Sequence, residues 1–450
     1  MDSTTICAIS TPAGVGGIAV ARVSGPQAIS ITQKLWRGID LSSAASHTAH
    51  LGSIRDSDGS ALDQAVATVY RSPRSFTGED VVEIAVHGSK FVQHRLIHAL
   101  IDSGASMAAP GEFTRRAFAA GKMDLAQAEA VADVIASESR AAHRIALSQM
   151  RGNYSGRLRQ LRDQLLELAS LLELELDFSD EDVEFASRQK LMEIASSVKA
   201  EVNRLAASFD AASAIKEGIP VAIIGATNAG KSSLLNAMLG DDRAIVSDIH
   251  GTTRDIVEDT LAIGDFAFRL MDTAGLRYTS DTIESLGIER SIKAASKARI
   301  IIMVIDSTNP VIPQLPDSSA SVIVAINKTD LAPSGSLESV ISQLPAGAHI
   351  VKISALEHNG IDTLKSALTS IASSSAGTDS VLVTNARHYE ALVQASESIT
   401  RAIEALQASL SGDLIALDIR LTIHHLSSIL GDISSQDILN NIFSRFCIGK

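Results

Sequence analysis

Gly225-Ala226-Thr227-Asn228-Ala229-Gly230-Lys231-Ser232 follows an apolar run, Val221 to Gly225, and precedes a helical segment, Ser233 to Leu239. The octapeptide fits G-x-x-x-x-G-K-[ST] in the strand–loop–helix context that the motif requires. Its glycines let the backbone wrap β- and γ-phosphates, and the helix N-terminus adds partial positive charge. Lys231 supplies the cation against phosphate and Ser232 a hydroxyl for Mg²⁺. Apolar runs separated by helical segments continue downstream: Phe266 to Asp272, Ile300 to Ile305, Val322 to Ile326 and Ile350 to Ser354. Continuous apolar strands of this kind belong to a parallel sheet covered on both faces.

Asn327-Lys328-Thr329-Asp330 follows one of those strands. An aspartate there can accept from both N1–H and the 2-amino group of guanine, a donor pair that adenine lacks. Ser354-Ala355-Leu356 follows the last strand and can support the base from its backbone. Asp272-Thr273-Ala274-Gly275 places a carboxylate near the Mg²⁺ shell and a glycine amide near the γ-phosphate. Gly251-Thr252-Thr253-Arg254-Asp255 offers a threonine that completes the Mg²⁺ shell when that phosphate is present. The resulting nucleotide shell runs through Asn228, Ala229, Gly230, Lys231, Ser232 and Ser233. It continues through Ser247, Asp248, Ile249, His250, Gly251, Thr252 and Thr253. Asp272, Thr273, Ala274, Gly275, Asn327, Lys328, Asp330, Ser354, Ala355 and Leu356 complete it. Ser232 and Thr253 are the magnesium candidates.

These segments resemble a Ras-like GTPase domain of the translation-factor-related branch. Leu276 stands where many switch GTPases carry a glutamine that orients water. An apolar side chain cannot do that, so another group must, and Arg277 and Glu284 lie in the same segment. With Lys231 they are the catalytic candidates.

Outward from this core, the chain has 450 residues, enough for two to four domains. Residues 1–118 mix short apolar runs, such as Ile18 to Val23 and Val81 to Val86, with turn signals such as Asp58-Gly59, and read as α+β. From Pro110 to Pro220 no proline intervenes, and from Gly156 to Gly218 no glycine. That stretch reads as helical, with Leu158, Leu161, Leu165, Leu168 and Leu172 at the spacing of a bundle stripe. Ser179 and Asp182 resemble a capping box. Ser370 to Ser380 reads as a linker, after which Asn385 to Leu410 and Leu414 to Leu430 return to helical periodicity. The expected organisation is therefore 1–118, 119–215, 216–378 and 379–450, with the α/β unit inserted into a discontinuous helical bundle. Its two connections then lie close together, so nucleotide state can move the bundle.

Composition sets limits. Forty-five per cent apolar and 20% charged residues describe a folded chain rather than a disordered one. Cys7 and Cys447 are too few for a disulfide framework or a cysteine-based zinc site. No run of about 18 apolar residues occurs and the N-terminus has no basic, apolar leader, so a cytoplasmic protein without a membrane span is expected. Thirty-nine basic against 52 acidic side chains give a charge of −13, and aromatics are 4%. The global field repels a polyanion, and the low aromatic content argues against an extensive base-stacking surface. A ribosome-assembly RNA-binding GTPase switch is the competing reading, but that class needs a basic RNA-binding module, and none is recognisable.

Four further blocks complete a pattern: Thr11 to Ile18 with Arg22-Val23-Ser24-Gly25; Ser75-Phe76-Thr77-Gly78-Glu79-Asp80; Pro110 to Phe118 running into Lys122 to Glu129; and the terminal Phe446-Cys447-Ile448-Gly449-Lys450. Read with the GTPase motifs, they make the whole chain resemble the MnmE (TrmE) family of tRNA modification GTPases. The resemblance implies an N-terminal folate-binding, homodimerising domain, a helical domain built from the middle and the C-terminus, and an inserted G domain. It also implies a FAD-dependent partner of the GidA/MnmG type, forming a heterotetramer. The pair adds an aminomethyl or carboxymethylaminomethyl group at C5 of the wobble uridine of tRNA, with 5-formyl-tetrahydrofolate or a related tetrahydrofolate as one-carbon source. By matched positions Arg22, Glu83, Lys122 and Lys450 contact folate, and Asn228, Ser247, Ile249 and Thr252 hold K⁺ in place of an arginine finger. Glu284 matches the family's water-orienting glutamate, and Cys447 a terminal thiol proposed as functional.

Overall fold

The computed structural model describes residues 4–177, 188–240, 259–271, 293–332, 341–344, 347–376, 381–433, 436–444 and 446–449. The amino-terminal sheet contains β1 (Ile6–Ile9), β2 (Gly16–Ser24), β3 (Trp36–Arg37), β4 (Thr48–Arg55), β5 (Ala61–Tyr70), β6 (Val81–Gly88) and β7 (Ser106–Met107), in the order β3-β4-β5-β6-β2-β1-β7. Alternation along β2 buries Ala19, Ala21 and Val23 while leaving Val20 and Arg22 partly exposed, as a sheet with one covered face requires. Helices α1 (Ala28–Leu35) and α2 (Lys90–Asp102) cover that face, and Ile31, Leu96 and Leu100 seat against Ile84, Val82 and Trp36. The expected strands at Ile18 to Val23 and Val81 to Val86 thus form, and Asp58-Gly59 turns β4 into β5.

Helices α3 (Glu112–Ala119), α4 (Leu125–Ala136), α5 (Arg140–Met150), α6 (Asn153–Asp177), α7 (Arg188–Ala207) and α8 (Phe209–Glu217) lie in the proline-free stretch. Leu158, Leu161, Leu165, Leu168 and Leu172 on α6 are all at most 2% exposed. Each such burial stabilises by about 2 kcal/mol. The capping box expected at Ser179 lies outside the described residues. Motifs far apart in sequence meet in α3: Arg116 donates to Glu79 at 3.1 Å and to Glu112 at 2.9 Å, while Ser24 Oγ donates to Glu79 at 2.7 Å. Arg116 and Glu112 are buried, and burying a guanidinium is tolerated where carboxylates pair with it at close range.

The second sheet contains β8 (Ile219–Gly225), β9 (Asp259–Ile263), β10 (Phe266–Met271), β11 (Ile300–Asp306), β12 (Ser321–Asn327) and β13 (His349–Lys352), ordered β13-β12-β11-β8-β10-β9. Four of its five pairings are parallel. β9 pairs antiparallel to β10 at the edge, an element the apolar-run reading missed because its residues alternate between buried and exposed. Helices α9 (Lys231–Gly240) and α10 (Ile361–Ala376) accompany this sheet.

The linker expected over Ser370 to Ser380 is not what forms through Ala376. α10 continues through Ala376, because Leu364, Leu368, Ile371 and Ala372 recur at helical spacing and are buried in the sheet's core, which overrides the weak helix propensity of the serines.

Helices α11 (Ala386–Gln407), α12 (Gly412–Leu430) and α13 (Gln436–Ser444) follow, and α12 packs along α6. The chain therefore leaves a helical bundle, builds the parallel sheet and returns to the bundle. This is an α+β multidomain fold: an α+β amino-terminal domain, a discontinuous helical domain and an inserted Ras-like α/β domain. By compactness the chain forms two units. One comprises Met1–Ala132, Gln149–Val198 and Glu397–Lys450, the other Asp133–Ser148 and Lys199–Ser396. Within the first unit the carboxyl-terminal tail is tied down: Phe443 and Phe446 join Leu125 and Ala128 in one cluster, and Ser10 Oγ donates to the Gly449 carbonyl at 3.1 Å.

Candidate functional site

In the second unit the phosphate loop sits where the sequence places it, between the end of β8 and α9. Gly225 is required there because a Cβ would lie 2.4 Å from the Val304 carbonyl oxygen of β11. Asn228 and Gly230 have φ of +62° and +95°, left-handed backbone of the kind from which anion-binding loops are built. Lys231 Nζ donates to the carbonyls of Gly225 and Ala226, each at 2.8 Å, and so lies over the loop. Burial lowers the Lys231 pKa by disfavouring its charged form. A polyanion on this loop restores the favourable environment for the ammonium. Ser232, at the first turn of α9, offers its hydroxyl beside the same loop, a donor set that suits a hard cation bridging to phosphate.

Three motifs distant in sequence converge on one residue. Asn327 Nδ2 donates to the Ala229 carbonyl of the phosphate loop at 2.9 Å, while its Oδ1 accepts from the Ala355 amide at 3.0 Å. Asn327 is buried, so both bonds are shielded from water and costly to lose. The Asn-Lys-Thr-Asp turn is held from below as well. Thr329 Oγ1 donates to the Ile353 carbonyl at 2.9 Å, and Lys328 Nζ reaches Asp306 Oδ2 at 2.6 Å. Burial alone would raise the Asp306 pKa, but hydrogen bonds from Lys328 and Thr308 bring it below the ordinary carboxylate value. Asp330 and Leu356 are exposed at the rim, and Ser354 and Ala355 are buried beneath. Asp306, which steadies the turn, was missed in the sequence, where it reads only as the polar end of an apolar strand.

Ser247, Asp248, Ile249, His250, Gly251, Thr252, Thr253, Asp272, Thr273, Ala274, Gly275, Arg277 and Glu284 lie outside the described residues. Of the four potassium candidates only Asn228 is described.

In the first unit, Arg22 and Glu83 face each other across the β2–β6 ladder, with Nε and Nη2 donating to Glu83 Oε1 at 2.9 and 2.8 Å. The guanidinium also stands over the rings of Phe76 and Phe113, 5.3 and 5.5 Å from their centroids. Tyr70 OH reaches Glu83 Oε2 at 3.5 Å, and burial followed by the Glu83 charge raises the Tyr70 pKa. Lys122 Nζ donates to the Pro73 carbonyl at 2.8 Å, on the loop that carries Phe76. A carboxylate, a guanidinium and aromatic faces within one patch can take a flat heterocycle with N–H donors and a carboxylate tail. Tyr70 was missed, and Phe76 and Phe113 appeared only within motif blocks, without a role; the β5–β6 register, which pairs Thr68 with Glu83, is the signal that would have led to Tyr70. Lys450 lies outside the described residues. Its neighbour Gly449 stands against Ile9 at the end of β1, the strand that pairs Ala8 with Arg22. Cys447 is exposed, whereas burial raises the Cys7 thiol to about 11.

A phosphate loop after the first strand of a mainly parallel sheet, linked through Asn327 to a guanine-type turn, defines a Ras-like P-loop GTPase. The MnmE helical domain matches residues 125–447, and the GTP-binding protein TrmE N-terminus matches residues 5–122. A tRNA modification GTPase MnmE from Parabacteroides distasonis is 51% identical over 462 residues, covering 99% of this chain and 100% of that one. One from Bacteroides fragilis is 47% identical over 467 residues, covering all of both chains. Among solved structures, the G domain of the T. maritima FeoB iron transporter is 27% identical, covering 34% of this chain and 98% of that one, at a TM-score of 0.25. The chain belongs to the MnmE family. Among the described residues no helix is long and apolar enough to cross a membrane.

Proposed function

We propose that this GTPase of the MnmE family couples GTP hydrolysis to modification of the wobble uridine of tRNA at C5, adding a (carboxymethyl)aminomethyl group. What supports the reading is the presence in one chain of a supported phosphate loop, a pinned Asn-Lys-Thr-Asp turn and the Arg22–Glu83 patch, within a family match spanning nearly the whole length. Lys231 and Ser232 take the β- and γ-phosphates and Mg²⁺, with Thr253 completing the metal shell, and Asp330 takes guanine. Glu284 orients the attacking water, and Arg277 is the further catalytic candidate of the same segment. K⁺, at Asn228, Ser247, Ile249 and Thr252, supplies positive charge near the leaving oxygen. The proposed division is 1–118, 119–215, 216–378 and 379–450, working in the cytoplasm as a homodimer with a FAD-dependent GidA/MnmG-type subunit. Cys447 is the proposed functional thiol.

Arg22, Glu83, Lys122 and Lys450 are the proposed folate contacts. A tetrahydrofolate bound there supplies the one-carbon unit; Glu83 accepts from its ring N–H groups while a cation pairs with its glutamyl tail. Because Glu83 is already held by Arg22 and Tyr70, its carboxylate is oriented before the ligand arrives. Glu83→Gln removes a charge-assisted acceptor worth about 1.5–3 kcal/mol, so affinity for 5-formyl-tetrahydrofolate falls about 10- to 150-fold in calorimetric titration. Unchanged affinity would remove the patch from the proposal.

The deciding experiment is nucleoside mass spectrometry of tRNA from cells lacking this gene, with precursor ribosomal RNA assayed in parallel. Loss of the C5-substituted wobble uridine is expected. Intact uridines with accumulating ribosomal precursors would instead assign the chain to the RNA-binding switch class.

A further inference from the structure

Helix α2 buries Leu96, Ile97, Ala99 and Leu100 against the amino-terminal sheet, and this fixes the direction of its opposite face. That face carries His94 and His98, both exposed and one helical turn apart. Side chains at i and i+4 are neighbours on a helix surface, but exposed ones are free to diverge. These converge: the two Nε2 atoms share a hydrogen bond at 3.3 Å, one ring N–H donating to the other ring's bare nitrogen, and the ring centroids are 4.4 Å apart with the planes at 56°.

We infer that His94 and His98 form a two-imidazole chelate for a transition-metal dication of the zinc class. Metal–imidazole bonds of about 2.0–2.1 Å at angles between octahedral and tetrahedral separate two nitrogens by about 2.9–3.4 Å. The observed 3.3 Å falls in that span without any change in the helix. Two histidines at i and i+4 are also the arrangement by which a single helix offers two zinc ligands from one face. Imidazole selects zinc, nickel and copper over magnesium and calcium, which take oxygen donors. Among the described residues no group of three or more His, Cys, Asp or Glu side chains comes together, so water fills the remaining positions. The ion cross-links one turn of α2, on the covered side of the sheet whose other face carries Arg22 and Glu83.

The test titrates zinc chloride into the full-length chain, stripped of metal and kept in excess Mg²⁺ so that oxygen-donor sites are already filled. Wild type, His94→Gln, His98→Gln and the exposed control His143→Gln are compared by calorimetry, with copper(II) paramagnetic resonance counting coordinated nitrogens. The expected result is a zinc site weakened by at least about 10- to 100-fold in either α2 variant, unaffected in the control, with two imidazole nitrogens on copper in the wild type and one in each variant. Equal zinc affinity in all four proteins, or a single nitrogen on copper in the wild type, overturns the assignment. The α2 positions are solvent-facing, so the variants keep the fold, and matching thermal melts without metal verify it.

Discussion

The Asp330→Asn chain is expected to bind xanthosine triphosphate in preference to GTP. Guanine offers two parallel donors, N1–H and the 2-amino group, and a carboxylate accepts both. An asparagine amide presents one acceptor and one donor, so it opposes the 2-amino group but can donate to the 2-oxo group of xanthine. Losing the charge-assisted hydrogen bond from the 2-amino group, weakening the one from N1–H to a neutral bond and setting a donor against the 2-amino group lowers GTP affinity about 10²- to 10⁴-fold. The substitution is a fair probe because the turn does not depend on Asp330. Its geometry comes from Thr329 on Ile353 and Lys328 on Asp306, and the carboxylate itself stands exposed at the rim. Competition binding against a fluorescent nucleotide checks the preference, and turnover at saturating xanthosine triphosphate checks that catalysis survives the switch. If affinity for GTP is retained, Asp330 does not read the base.

How far the sequence reveals such a site depends on whether its chemistry is local. Gly225 to Ser232 and Asn327 to Asp330 are legible because each needs particular residue types within a few positions, at the end of an apolar strand. Asp306 and Tyr70 are not, since their partners, Lys328 in the turn after β12 and Glu83 on β6, are distant in sequence and only the strand pairing brings them together. The same distinction explains the fold. Apolar runs marked the parallel strands of the second sheet, whereas the antiparallel edge strand β9 buries only Leu261 and Ile263, alternating with exposed Thr260 and Ala262, and so carries no continuous apolar run. Five serines between Ser370 and Ser380 obscured a helix whose identity rests on Leu364, Leu368, Ile371 and Ala372, because local composition lost to burial against the sheet. In the amino-terminal domain, the link between the Glu79 and Arg116 motifs could be recognised as a family pattern but not as an ion pair until the two were seen at 3.1 Å.

Gly230→Ala is expected to abolish measurable nucleotide binding while leaving the domain folded. A Cβ at this position meets Asn327 Nδ2 at 2.1 Å, and the backbone has φ of +95°, where an L side chain is strained by about 1–3 kcal/mol. The asparagine cannot simply step aside. Its Nδ2 holds Ala229 and its Oδ1 holds Ala355, so displacing it frees the phosphate loop and the Ser354-Ala355 turn together, at about 1–3 kcal/mol per buried hydrogen bond. The summed cost of several kcal/mol falls on the two loops that must be preorganised for phosphate and base, so binding suffers more than global stability. Calorimetry with GTP and a thermal melt separate the two effects. A cycle with Asn327→Ala in unfolding free energy then isolates the cause: with the amide already gone, the methyl that Gly230→Ala introduces meets no Nδ2, and the two substitutions should be non-additive by about 0.5–3 kcal/mol. Full additivity would mean that the damage comes from backbone strain alone, and GTP affinity surviving in Gly230→Ala would mean that the link between the two loops does not set nucleotide binding.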